Sequence, residues 1–265
     1  DLIVVGLVES LHNEGPVSMQ QNGQDILASR IMARMRVDKT LKGDYRDSSL
    51  AFRFLLPDLP IGYSGIGLGT YRMIFLSKFG DSFVFADPYH PSLIAVPGGA
   101  AATATTAVDS VVLELDSVVR NTQISNQQKL EAIHALASVR TTLSSRTLEQ
   151  VLSGPDELLK IAAAAALLQR DDILGMSFAE SAVTKPPAGV PPYLISNLVL
   201  AIQNGVKNES AIPSLVRLLN DRDTAVRRAA TLALRNTGSR LAVPGLSVAL
   251  SDPDFQIRYY AVVGL

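Results

Sequence analysis

The side chains able to do chemistry in this 265-residue chain are few and scattered. Its histidines are His12, His90 and His134, two in the first hundred residues and one in a helical stretch. None belongs to a His-x-x-x-His spacing or stands beside a glutamate, the patterns that hold a metal and supply a base. Each is therefore expected to be a surface or packing residue, the ordinary role of an isolated histidine. Cysteine is absent, which removes disulfides, thiolate zinc sites, thiol nucleophiles and thioether-attached chromophores together. The glycine run from Gly62 to Gly69 lacks the lysine and following helix of a phosphate loop, so it reads as a turn. No catalytic, cofactor-binding or metal-binding residue is assigned, and no cofactor is expected.

Basic residues offer two weaker patterns. Arg30, Arg34 and Arg36 share one strand phase and, with Arg53, could line a groove for single-stranded nucleic acid. Against that, the phenylalanines fall mostly on core phases, and 24 basic residues meet 25 acidic ones for a net charge of −1. A solvated strand face is the expected reading, and nucleic acid is not the expected partner. Lys129, Lys160, Arg227 and Arg258 recur at a helical interval, where Asp to Arg contacts between successive elements are expected rather than a ligand row.

The elements that must position these residues change character along the chain. A hydrophobic content of 47% with 18% charge is that of a folded protein, and no apolar run is long enough to span a bilayer. Period-two alternation predicts strands at Leu2 to Val8, Ile26 to Val37, Ser49 to Leu56, around Tyr71 to Phe75, Ser82 to Ala86 and Leu93 to Val96. Leu27, Ser29, Ile31, Ala33 and Met35 should share a face, as should Phe52 with Phe54 and Tyr71 with Met73 and Phe75. Gly15-Pro16, Asn22-Gly23, Lys42-Gly43-Asp44 and Phe79-Gly80-Asp81 are read as breakers. The expected fold is α+β in two domains: a small antiparallel β-barrel over residues 1–96, a linker over 97–107, and helices over 108–265.

Within the helical part, Ala211 to Ala230 recurs as Ala242 to Ala261 at a shift of 31 residues without a gap. Pro213 and Pro244 fit a first helical turn, where the missing N–H costs nothing. Asp221 and Asp252 stand in the turn, Asp223 and Asp254 can cap a second helix, and Arg227 and Arg258 open it. Alanines 230, 233 and 261 permit close helix approach, with Leu234 and Leu265 between layers. This segment resembles the HEAT repeat in its bacterial form, which implies a solenoid of helix pairs that bury their apolar faces only against one another. Weaker copies place the second helices near 127, 157, 193, 224 and 255, about five pairs with the last incomplete, and an insertion from Lys185 to Pro192 in a loop.

Two further resemblances bear on function. Leu2 to Val8, Ile31 to Val37 running into Leu41-Lys42-Gly43, and Gly69 to Leu76 resemble a netrin-type or tissue-inhibitor-of-metalloproteinase-like OB barrel. Inhibitors of that family chelate the protease zinc through an N-terminal cysteine, and here the chain opens with Asp1, so only the fold is implied. The repeats also resemble those of bilin lyases, which keeps an enzyme-accessory or lyase-type role as an alternative; the di-iron hydroxylases built on HEAT repeats are not matched, for want of their histidine motifs. The expected function is a non-catalytic interaction or scaffold module with a protein partner. Arg228, Thr231, Arg235, Asn197 and Gln203 are the candidate partner-binding residues. Leu130, Ile133, Ala137, Ile161, Ala164 and Leu168 occupy the same stripe in earlier repeats, so the barrel or a partner is expected to cover them. Export, with a signal segment removed ahead of Asp1, and a natural chain running past Leu265 are further expectations.

Overall fold

Alternating side chains in the first hundred residues form six strands: β1 (Leu2–Gln21), β2 (Gln24–Lys42), β3 (Ser49–Pro57), β4 (Tyr71–Phe79), β5 (Ser82–Phe85) and β6 (Leu93–Ala95). The computed structural model describes residues 1–21, 24–57, 66, 68–86, 93–96 and 104–265. Asn22-Gly23, His90 and most of the Gly62 to Gly69 run lie outside the described residues. Clustering of contacts divides the chain into Asp1–Gln128 and Lys129–Leu265.

In the first unit β1 pairs with both β2 and β4, β2 with β3, β3 with β5 and β4 with β5, while β6 adds to β4. The pairings thus run β1–β2–β3–β5–β4 and return to β1. One of them, β3 with β5, is parallel, which corrects the expectation of a wholly antiparallel sheet. Gly6, at a bulge of β1, is where the two strands press closest: a Cβ there would lie 1.9 Å from the Arg36 carbonyl oxygen. The interior collects Val4, Val8, Ile31, Ala33, Met35, Leu50, Ile74 and Leu76 around Phe52, Phe54 and Phe85. Those rings lie 5.2 to 6.2 Å apart between centroids, and each fully buried phenylalanine contributes on the order of 2–3 kcal/mol.

Two sequence expectations need correction. β1 continues to Gln21, because Gly15 sits at φ 117° in a bulge opposite Arg30 and Ile31 instead of ending the strand. Pro16 is tolerated because the described pairing of β1 with β4 stops at Leu7, leaving one edge of the outer strand without ladder partners to lose. Leu27 is exposed while Ala28 is buried, so only Ile31, Ala33 and Met35 of the expected face are interior. In β4 both faces are covered: Ile74 and Leu76 join the interior, and Met73 on the opposite side is buried as well.

On that opposite side α1 (Ala107–Arg120) meets β2. Lys39, Val5, Met73 and Ile94 form one row of register partners across β2, β1, β4 and β6. From this row Lys39 Nζ donates to Glu114 Oε1 of α1 at 2.7 Å, with Glu114 2% exposed. The helix buries Val111, Val112, Leu115, Val118 and Val119, an apolar stripe that suits the sheet side carrying Val5 and Met73. Thr106 caps it by accepting the Asp109 amide hydrogen at 3.1 Å.

Eight helices follow α2 (Asn126–Ser138): α3 (Thr142–Leu152), α4 (Glu157–Gln169), α5 (Met176–Thr184), α6 (Pro192–Gly205), α7 (Ile212–Leu218), α8 (Thr224–Thr237), α9 (Val243–Ala249) and α10 (Phe255–Gly264). The second helices begin at 126, 157, 192, 224 and 255, within one residue of the positions read from the repeat. Residues 185–191 form the loop ahead of α6. α4 packs on α6, α6 on α8 and α8 on α10, with the first helices as a layer beside them. One continuous core runs through the stack from Ile161 to Ala261, as expected of repeats that lack cores of their own.

Candidate partner-binding surface

The inter-helix turns fix how the second helices are presented. Asp223 caps α8 by accepting the Ala225 amide hydrogen at 2.8 Å, and Asp254 caps α10 by accepting that of Ile257 at 3.1 Å. Asp221 and Asp252 tighten the same turns, each accepting from the amide two residues on. Pro213 and Pro244 lie in the first turns of α7 and α9. Arg227 Nη1 donates to the carbonyls of Asp221 and Arg222, and its Nε donates to Asp252 Oδ2 of the next pair at 2.8 Å. Arg258 holds its own turn in the same way, through the carbonyls of Asp252 and Pro253.

This rung is nearly dry, with the two side chains 12% and 7% exposed. Burial pushes the Asp252 carboxyl up, but the Arg227 hydrogen bond, the Asp254 amide and the charges of Arg227 and Arg258 outweigh it and hold the group below the usual carboxylate range. In the layer of first helices Arg217 Nη2 meets Glu180 Oε2 at 2.8 Å, and that hydrogen bond lowers the Glu180 carboxyl. Lys160 departs from the ladder pattern: it pairs with Glu157 of its own helix and lies 5.2 Å over the Phe178 ring.

A second helix with second helices on either side and first helices beneath has one free face. On α6 it carries Tyr193 and Leu200, 52% and 50% exposed, with Asn197 between them. On α8 it carries Arg228, whose Nη2 lies 3.5 Å from Asp254 Oδ2 while its Nε has no partner. Arg235 stacks 5.7 Å from the Tyr260 ring and donates to Asn236. Thr231 is placed differently: it is fully buried and its hydroxyl donates to the Arg227 carbonyl at 2.9 Å, so it offers nothing to a partner. Gln203 is half-buried, and its carbonyl accepts from Asn236 across the α6–α8 contact at 3.0 Å.

Sequence reasoning missed Tyr193 and Leu200. The signal was present, since they stand seven apart and off the core phase of Leu194, Leu198, Ala201 and Ile202. At α4 the apolar stripe needs no cover from elsewhere. Ile161, Ala164 and Leu168 are buried within the stack, in one core with α5 and α6 residues, which removes the motive for a docked barrel at α4. Leu265, expected between layers, is 56% exposed, while its counterpart Leu234 is buried where α10 packs on α8.

The basic strand residues are partly neutralised: Arg36 pairs with Asp38 and donates to the Tyr71 hydroxyl, and Arg53 pairs with Glu14. Among the described residues no three His, Asp or Glu side chains converge as a metal-holding group. No described helix is long and apolar enough to cross a membrane.

Solved structures with similar folds include the designed armadillo repeat protein YIII(Dq)4CqI, 17% identical over 60% of this chain and 84% of that one, with a TM-score of 0.38. The designed armadillo repeat protein YIII(Dq.V1)4CPAF in complex with peptide (KR)4 is 19% identical over 60% and 84%, with a TM-score of 0.39. An engineered protein is 20% identical over 60% and 81%, with a TM-score of 0.40. No curated protein matches the chain. Residues 189–265, which contain α6 to α10 and the gapless 31-residue repeat, match the family model of HEAT repeats.

Proposed function

We propose that this chain is a non-catalytic interaction or scaffold module that holds a segment of a protein partner along the free face of its second helices. The observation that carries the reading is the exposure of Tyr193 and Leu200 on α6, together with the partly exposed guanidinium of Arg228 on the neighbouring α8. Aromatic and aliphatic anchors beside arginine donors are what protein recognition uses at its energetic centres. The repeat architecture supports the same role, because stacked pairs extend such a face over several helices.

The test is selection of peptides from a displayed library on the whole chain. Selected peptides should lose about tenfold or more in affinity on Tyr193→Ala and on Leu200→Asp, the scale of a lost anchor, with unchanged thermal melting. Full affinity in both variants would remove the second-helix face as the site.

For the first unit we propose a small OB-like barrel in a supporting role. The return of the strand pairings to β1 and the parallel β3–β5 contact support it.

A further inference from the structure

We propose that a cleft at the turns between helix pairs, separate from the free face of the second helices, binds the carboxylate of an aspartate or glutamate side chain from a partner peptide, between Arg140 and Arg170. The cleft is about 570 Å³ and is lined by Arg140, Thr141, Thr142, Ser145 and Glu149 on one side and by residues 170–173 with Asn208 on the other. Within it Arg170 is half-buried and, among the described residues, has no carboxylate in ion-pair reach. Its Nη1 and Nη2 donate to the hydroxyls of Ser144 and Ser145 at 3.0 and 2.8 Å, and its Nε is buried without a partner.

A guanidinium taken partly out of water without an opposite charge is an expensive arrangement. Burial above all, and the neighbouring Arg140 charge, outweigh the nearby Asp172 and hold Arg170 below the ordinary arginine value. Arg140 is exposed and makes no hydrogen bond or ion pair with any described residue, so two like charges face one opening.

The acids around the opening do not fill that need. Asp171, held at φ 59°, spends Oδ1 on the amides of Lys207 and Asn208 at 2.7 and 2.8 Å. Asp172 accepts the Leu174 amide hydrogen at 3.1 Å. Glu149 is exposed, and it is left for an amide or basic group of the same segment. Two forked donors with the hydroxyls of Thr142 and Ser145 beside them suit a planar, two-oxygen acceptor, and a peptide side chain supplies one without filling the volume.

The experiment uses the whole chain at low salt and two acetylated, amidated peptides that alternate glycine with glutamate or glycine with glutamine. The glutamate peptide should bind about tenfold or more tightly than its glutamine counterpart, the scale of one charge-assisted pair. It should shift the backbone amide resonances of residues 141–145 and 170–173. Arg140→Gln should abolish most of that difference without changing the melting temperature, whereas Arg146→Gln, on α3 and outside the cleft lining, should leave it intact. Equal affinity for the two peptides, shifts confined to other residues, or equal loss in both variants would each overturn the site. None of these results depends on Tyr193 or Leu200.

Discussion

At the scale of single residues the helical stack is held in part by one nearly dry polar rung. In Arg227 with Asp252, the aspartate keeps a carboxyl below its usual range when folded. A carboxyl depressed in the native state stabilises it fully above the unfolded value and loses that contribution as pH falls through the folded one. Acid should therefore destabilise the stack progressively from about pH 4 downward. Arg227→Met should cost on the order of 2 kcal/mol near neutrality, since it strands a buried carboxylate. Urea unfolding at a series of pH values reads both effects. A variant that keeps the wild-type acid slope would show that the rung does not carry it.

Elements differed in how much of them could be read in advance. The second helices announced themselves because turn chemistry is local: aspartate caps, an early proline and an arginine four residues past the cap recur at fixed offsets, and the caps and arginines were found doing local work. The hairpin arm of β1 and β2 did not, because Gly15-Pro16 has the look of a break when only sequence neighbours are weighed. What decides it is the bulge and a strand edge free of partners, which are tertiary facts. The burial of Thr231 has the same origin: its position on α8 is polar by type, yet the neighbouring helices close over it. The arginine cleft was invisible for a stronger reason, since it joins turns some thirty residues apart and depends on how successive helix pairs bring those turns together.

A close helix approach gives this scale its prediction. A Cβ at Gly205, near the end of α6, would lie 2.2 Å from the Leu168 carbonyl oxygen and 2.8 Å from the Gln169 Cα, both backbone atoms of α4 and its end. Backbone cannot rotate away as a side chain can, so Gly205→Ala should separate the two helix ends and cost about 1–3 kcal/mol. It should also raise amide exchange along α4 and α6. Wild-type exchange in both helices would show that the contact yields at no cost.

For the whole molecule, near-balanced charge leaves little repulsion between copies, and in this chain the outer face of the last pair carries apolar side chains. Phe255, Tyr259, Val262, Val263 and Leu265 are 54% to 70% exposed. One repeat earlier the same positions hold Thr224, Arg228, Thr231, Leu232 and Leu234, of which the last three are buried as α10 packs on α8. A repeat shields its apolar surface through its neighbour, and an exposed face of this composition retains the attraction that stacking uses. Self-association of the chain should accordingly strengthen in sulfate, which favours apolar contact, instead of weakening as charge pairing would. Val262→Glu should reduce it while leaving the melting temperature within about 2 °C, because the side chain meets water in the monomer. Sedimentation velocity across a concentration series measures both effects, and an unchanged association constant for Val262→Glu would place the contact on another surface.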